Sequence, residues 1–83
     1  MEFYLILARS ITYAQRMEQA LGKIGIRCRI SRAPRELTQR GCAYAVRLSP
    51  PDLPGGLTAL RRAGLEPLQV FGYQNGAYQE VPV

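Results

Sequence analysis

The sequence lacks histidine entirely and contains only two cysteines, Cys28 and Cys42. The absence of histidine excludes His-based catalytic triads, and two cysteines fall short of the about four ligands that an ordinary zinc site needs. We therefore expect neither a metal nor a cofactor. No segment approaches the ~18 continuous apolar residues of a membrane span, and no basic leader precedes the apolar stretch at 3–8. These absences predict a cytoplasmic protein.

Acidic residues are also scarce, with six Asp and Glu against 11 Lys and Arg and a net charge of +5. Arginine binds phosphate oxygens in a bidentate way, so this balance raises the hypothesis of a nucleic-acid partner. The arginines are scattered, however, with some thickening only between residues 27 and 40. The sequence also lacks the paired aromatic residues on central strands that an RNA-binding sheet shows. We therefore interpret the charge as a solvated surface and expect no tight nucleic-acid binding.

The 83 residues suffice for one hydrophobic core, and we treat 1–83 as a single domain. Hydrophobic periodicity predicts the order β-α-β-β-α-β and one further strand, which meets the preceding strand at Asn75-Gly76. The predicted elements are strands at 2–8, 26–31, 44–48, 66–73 and 77–81, a helix at 12–23 capped by Thr12, and a helix after Ser49 that becomes regular near Gly56 and ends at Gly64. The helix residues predicted to face the core are Ala14, Met17, Leu21, Ile24, Leu53, Leu57 and Leu60.

This order of elements predicts an α+β, ferredoxin-like split βαβ sandwich with an extra C-terminal hairpin strand. In the usual strand order, 4-1-3-2, the third strand lies between the first and the second, because βαβ crossovers are right-handed. The end of the first strand, the start of the first helix, the end of the second strand and the start of the third then lie at one end of the sheet. We expect this arrangement to bring together Arg9, Ser10, the connection at 32–41 and Cys42.

The two cysteines have different surroundings in the sequence. Cys28 alternates with Ile26 and Ile30 on one strand face, which favours an inert packing residue. Cys42 follows an arginine-containing connection with one short turn at 35–37, which favours an accessible thiol. A helix N-terminus and guanidinium groups nearby stabilise a thiolate. The residues expected to bind or activate around Cys42 are Arg9, Ser10, Pro34, Arg35, Arg40 and Gly41. The alternative that Cys42 is merely a small residue opening a strand stays open.

An activated cysteine without histidine, a metal or a second cysteine nearby has few reactions open to it. Acyl transfer requires a general base, and the sequence supplies no obvious one. Accepting a sulfur or selenium atom from a donor and passing it on requires little beyond the thiolate, because the partner enzyme supplies most of the catalysis. A carrier is therefore the function that demands least of this set of residues.

Four stretches of the sequence together resemble a known family. They are Tyr4-Leu5-Ile6-Leu7 followed by Arg9-Ser10, Pro34-Arg35-Glu36-Leu37, Cys42 at the start of a strand, and Ser49-Pro50-Pro51-Asp52-Leu53 before the second helix. Their order and spacing are similar to those of the selenium/sulfur carrier-like proteins, small bacterial domains. The resemblance implies that Cys42 is the carrier thiol. One difference is that Gly41 precedes the cysteine here, whereas family members usually have glycine after it.

The sequence and the resemblance together predict a carrier that holds a persulfide or selenide-type adduct on Cys42 and delivers it to a partner enzyme. It is not expected to be a stand-alone enzyme, and its partners would be a cysteine desulfurase-like donor and a sulfur- or selenium-accepting enzyme. Two alternatives stay open. Ferredoxin-like domains host many binding functions, so the first is a non-enzymatic regulatory or ligand-binding module. The second, less favoured, is RNA binding through exposed arginines. A homodimer is compatible with each function.

Overall fold

Two helices pack on one face of a five-stranded antiparallel sheet in the computed structural model, which describes residues 1–38 and 43–82. The elements are β1 (Phe3–Ala8), α1 (Ile11–Gly22), β2 (Arg29–Arg32), β3 (Tyr44–Leu48), α2 (Leu53–Arg62), β4 (Gln69–Gln74) and β5 (Ala77–Val81), with short 3₁₀ turns at Arg35–Leu37 and Pro50–Asp52. The predicted α+β class, the additional C-terminal strand and the turn at 35–37 are confirmed. Within the described ranges, no helix is long and apolar enough to cross a membrane.

The strands lie in the order β2-β3-β1-β4-β5, and every neighbouring pair is antiparallel. The central strand β1 is buried along residues 5–8. Tyr44, at the start of β3, pairs with Ala8 at the end of β1 and with Arg32 at the end of β2. We call this the Ala8 end of the sheet, and the opposite end, where β1 begins at Phe3, the Phe3 end. The predicted meeting of these strand ends is confirmed.

The main core lies between the sheet and the two helices. Its buried side chains come from three strands, both helices and the connection between α2 and β4: Ile6, Ala8, Ala14, Met17, Leu21, Val46, Leu48, Leu53, Leu60, Leu65 and Val70. Gly56 of α2 is also buried, and a Cβ atom there would lie 3.2 Å from both Leu21 Cδ2 and Leu48 Cδ1. The missing side chain at this position lets α2 approach α1 and β3 closely.

The bounds of α1 differ from the prediction at both ends. The N-cap residue is Ser10 rather than Thr12, and the helix begins at Ile11. The predicted core residues Ala14, Met17 and Leu21 are buried. Ile24 is 53% exposed, so its predicted place in the core is wrong. The physical reason is that α1 ends at Gly22 and the chain then turns through Gly25, which has a φ of 79°.

Helix α2 begins earlier than the sequence predicts. The 3₁₀ turn Pro50–Asp52 follows Ser49 and leads directly into α2 at Leu53, so the expected delay of regular helix to Gly56 is wrong. Pro54 is tolerated because it lies in the first turn, where backbone N–H groups have no partner within the helix. The predicted core residues of α2 are confirmed as buried or packed against the core: Leu53, Leu57 and Leu60.

Two strands are shorter than predicted, and the C-terminal hairpin has the predicted form. β2 starts at residue 29 rather than 26, and β4 starts at 69 rather than 66. Ile26 and Cys28 nevertheless pack against the main core. Asn75 and Gly76 have φ values of 53° and 77°, both in the left-handed region. These angles are typical of the type I′ turn that joins two strands of a hairpin.

The sheet face opposite the helices carries a smaller apolar cluster. Leu5, Leu7 and Ala45 are buried there, and Ala33 and Leu37 pack onto them. Both packing residues come from the connection between β2 and β3. This connection is therefore folded against the sheet at 33–37 instead of projecting into solvent.

Candidate functional site

Ser10 joins β1 to α1 at the Ala8 end of the sheet. Its backbone is extended, and its Oγ accepts a hydrogen bond from the N–H of Tyr13 at 3.1 Å. Its carbonyl oxygen accepts a bond from the N–H of Ala14 at 3.0 Å. Ser10 thus caps a helix whose other first-turn N–H groups have no partner within the helix. Because the first turn contains no acidic residue, the positive end of the α1 dipole is not neutralised from within the helix.

Arg9 supplies a full positive charge beside this helix N-terminus. The residue is exposed, and its guanidinium carbon lies 4.8 Å from the centroid of the Tyr13 ring. A cation over an aromatic face is attracted by the ring quadrupole. The Arg9 guanidinium is therefore held against the first turn of α1, at the end of the sheet that the sequence predicts.

Pro34 and Arg35 form the turn that follows β2. The carbonyl oxygen of Pro34 accepts a hydrogen bond from the Leu37 N–H at 3.0 Å, and that of Arg35 accepts one from the Thr38 N–H at 3.1 Å. These bonds close a 3₁₀ turn and direct Leu37 onto the apolar cluster of the open sheet face. The Arg35 side chain stays exposed. The described part of the predicted connection, up to residue 38, therefore contains a 3₁₀ turn that carries the exposed Arg35 side chain.

Arg40, Gly41 and Cys42 lie outside the described residues, so their predicted roles stay predictions. Ala43, the residue after Cys42 in the sequence, is described. Its carbonyl oxygen accepts a hydrogen bond from the Ala33 N–H at 3.0 Å, which extends the pairing of β2 and β3 by one step. The described chain on that side of Cys42 thus begins at the Ala8 end of the sheet.

Cys28 is the free cysteine within the described part of the chain, and it is partly buried against the main core. Burial raises the pKa of its thiol above the ordinary value, and the Glu18 carboxylate adds a smaller effect in the same direction. Both effects disfavour the thiolate, which is the reactive form of cysteine. The predicted packing position is confirmed, although the thiol is only partly buried.

A row of aromatic side chains on the open sheet face was not predicted from the sequence. The rings of Phe3 on β1 and Tyr73 on β4 stack with centroids 4.8 Å apart, and Tyr78 on β5 meets Tyr73 edge-on, also at 4.8 Å. The expectation that no central strand carries a paired aromatic is therefore wrong. The Arg47 guanidinium lies 3.9 Å from the Phe3 centroid, so this ring is engaged from both neighbouring strands. It is not a free platform for a nucleobase.

Comparison with known protein families gives a match over most of the chain. Residues 3–71 match the family described as "Putative Se/S carrier protein-like". The matched segment runs from the start of β1 into β4 and includes Arg9, Ser10, Pro34, Arg35 and Cys42. Comparisons with curated proteins and with solved structures found no match. Since the family match covers far more than half of the 83 residues, the chain belongs to the Se/S carrier protein-like family.

Proposed function

We propose that this protein holds a sulfur or selenium atom on Cys42, as a persulfide or selenide-type adduct, and delivers it to a partner enzyme. Membership of the Se/S carrier protein-like family supports this function. The chain offers two cysteines as carrier thiols, and the raised pKa of Cys28 argues against that one. Cys42 is therefore the carrier thiol in this proposal.

The observation that carries the proposal is the pairing of strand ends at the Ala8 end of the sheet. Tyr44 pairs with both Ala8 and Arg32, so the described chain after Cys42 begins where β1 passes into α1. Arg9 and the N-terminus of α1 lie at the same end. A guanidinium and a helix N-terminus both favour a thiolate over a thiol. This end of the sheet thus supplies the electrostatic environment that an attacking thiolate requires.

The residues around the proposed carrier thiol have distinct roles. Arg9 supplies the positive charge, and Ser10 fixes the first turn of α1 so that its free N–H groups stay at this end. The carbonyl oxygen of Pro34 accepts the hydrogen bond that closes the turn after β2, and Arg35 adds an exposed guanidinium in this turn. These four residues position or charge the site, and only the thiol takes part in bond formation.

Two further residues of the proposed site, Arg40 and Gly41, immediately precede Cys42 in the sequence. In the proposal, Arg40 adds a further guanidinium, and Gly41 leaves room for a donor protein to approach the thiol, because it has no side chain. These roles rest on the sequence position of the two residues.

Loading is a sulfur exchange between two cysteines. The Cys42 thiolate attacks the terminal sulfur of a persulfide, R–S–SH, on a donor protein. A sulfur–sulfur bond to Cys42 forms while the donor's sulfur–sulfur bond breaks, and the donor cysteine leaves as a thiolate. Cys42 is oxidised to the persulfide as the donor cysteine is reduced, so no external oxidant is needed. Delivery repeats the exchange with an acceptor, and selenium takes the place of the transferred sulfur in the alternative cargo.

The proposal also fixes the partners and the setting. The donor is a cysteine desulfurase-like protein, and the acceptor is a sulfur- or selenium-using enzyme that supplies the catalysis. The carrier acts in the cytoplasm, where a reducing environment keeps the unloaded thiol free.

We further infer a ferredoxin-like unit of β1 to β4 with both helices, because the sheet read from β4 gives the order 4-1-3-2, with β5 added outside β4.

The test is incubation of the protein with a cysteine desulfurase and free cysteine, followed by intact-mass spectrometry. We expect the mass of one added sulfur atom, which a thiol reductant removes. Cys28→Ser should load like the wild type, and Cys42→Ser should not load. Loading of Cys42→Ser to the wild-type extent, or no loading of any variant when the desulfurase is supplied with cysteine or with selenocysteine, would refute the carrier function of Cys42.

A further inference from the structure

A groove of about 540 Å³ lies at the Phe3 end of the sheet, on the side opposite to the Ala8 end. Arg27, Cys28 and Arg29 line one wall, where the chain enters β2, and Phe3 and Arg47 line another. The three arginines are exposed. The groove therefore lies at the opposite end of the sheet from Arg9 and Ser10, and the proposed carrier function gives it no role.

Two of the arginines in this groove are neighbours although their positive charges repel each other. Arg29 and Arg47 are directly paired residues on antiparallel β2 and β3, so their side chains leave the same sheet face next to each other. Like charges directly opposite each other destabilise a pair of strands. Arg27 precedes Arg29 by two residues and lines the same groove. Three arginines thus line one groove, where an anion would reduce the repulsion between their charges.

We propose that this groove binds a phosphate group. A guanidinium presents its N–H donors in a planar fork that matches two phosphate oxygens, and paired forks can grip one phosphate from two sides. Arg47 already lies over the Phe3 ring, at 3.9 Å from its centroid, and this contact restricts where the guanidinium can go. Contact with an aromatic ring does not use the guanidinium N–H groups in ordinary hydrogen bonds. These N–H groups of Arg47 therefore remain available to a ligand.

Two carboxylates in the groove limit the affinity. Glu2 Oε2 accepts a hydrogen bond from the Asn75 N–H at 3.2 Å, which draws it toward the hairpin turn. Glu18 lies close enough to Cys28 to raise the pKa of that thiol. Three arginines against two glutamates leave one net positive charge in the groove. Binding should therefore be weak and sensitive to salt, and removing the Glu18 charge should strengthen it.

The test is a titration of the full-length, isotope-labelled protein, followed by the amide resonances of residues 27–29 and 47–49 in NMR spectra. The probes are inorganic phosphate, AMP, a single-stranded RNA hexamer and an acidic peptide without phosphate. We expect saturable shifts with phosphate probes. Binding should weaken on the order of tenfold in Arg29→Ala and in Arg47→Ala, and strengthen severalfold in Glu18→Gln. Arg62→Ala, which removes the same charge from the end of α2, is the matched control and should bind like the wild type.

The probes distinguish the source of the phosphate. Saturation by inorganic phosphate or AMP identifies a small phosphate-bearing ligand, and saturation by the RNA hexamer alone identifies a nucleic-acid backbone; either supports the site. No saturable shift with any phosphate probe would overturn the proposal. Binding of the acidic peptide alone, or equal weakening in Arg62→Ala and Arg29→Ala, would overturn it as well. If an arginine variant fails to fold, Glu18→Gln decides, because unchanged affinity there contradicts the site.

Discussion

Replacing Ser10 by alanine removes the side-chain hydrogen bond that caps α1 at the candidate site. The bond joins Ser10 Oγ to the Tyr13 N–H at 3.1 Å, in a partly buried position. Loss of a serine N-cap costs about 1 kcal/mol of the free energy of unfolding, within a range of ~0.5–2 kcal/mol. For a chain of this size, each kcal/mol lowers the melting temperature by roughly 4–8 °C. The Ala14 N–H still finds the backbone carbonyl of residue 10, so we expect no larger loss.

Ser49→Ala is the matched control for this measurement. Ser49 also precedes a helical turn, but its side chain makes no capping hydrogen bond. Thermal and urea unfolding followed by circular dichroism should therefore show a loss in Ser10→Ala and almost none in Ser49→Ala. Equal losses in the two variants, or none in Ser10→Ala, would refute the assignment of Ser10 as the cap.

Ser10→Asp separates the cap from the electrostatics of the site. Aspartate is as good an N-cap as serine and interacts favourably with the helix dipole, so stability should match or exceed that of the wild type. Its carboxylate, however, adds a negative charge at the Ala8 end, which disfavours a nearby thiolate. We expect slower alkylation of Cys42 at neutral pH in a fully stable protein. Faster alkylation would contradict the proposed surroundings of Cys42.

Further predictions concern the two cysteines and their charged neighbours. Cys42 should titrate below the reference thiol pKa of ~8.5. Arg9→Ala should shift the pH profile of Cys42 alkylation to higher pH, and Arg16→Ala on the exposed side of α1 should leave it unchanged. Coincident profiles for Arg9→Ala and the wild type would remove Arg9 from the site. Cys28 should alkylate more slowly than Cys42 at neutral pH, and equal rates would contradict this. Folding raises the Cys28 pKa, so the contribution of the protonated thiol to stability is complete below the unfolded-state pKa and is lost as pH rises through the folded-state pKa. Over this pH range, the free energy of unfolding measured in urea should fall for the wild type relative to Cys28→Ala. Cys28→Ala itself should cost on the order of 0.5 kcal/mol, since the lost sulfur is only partly buried, and a loss above ~2 kcal/mol would indicate full burial.

The arrangement of strand ends could be predicted because it follows from local patterns and chain connectivity. Alternation marks the strands, Asn75-Gly76 marks the hairpin, and the handedness of crossovers places β3 between β1 and β2. That placement alone brings Arg9 and Ser10 to the start of β3. These features need no knowledge of side-chain packing.

The errors occur where tertiary structure decides between locally equivalent choices. Ser10 and Thr12 are both good caps, and the end of β1, set by its pairing with β3, selects Ser10. Ile24 continues the apolar period of α1, but the helix has already ended, and the side chain is exposed. The stacking of Phe3 on Tyr73 depends on the register of β1 with β4, which the sequence does not specify.

The most direct test of the central claim is to locate the transferred atom in the wild-type protein, in which both cysteines compete. After loading by a cysteine desulfurase, cleavage after Glu18, Glu36 and Glu66 places Cys28 in peptide 19–36 and Cys42 in peptide 37–66. Mass spectrometry of the two peptides then shows which thiol carries the extra sulfur. We predict the sulfur on peptide 37–66 and its loss on treatment with a thiol reductant. Sulfur on peptide 19–36, or on neither peptide, would contradict the assignment of Cys42 as the carrier thiol.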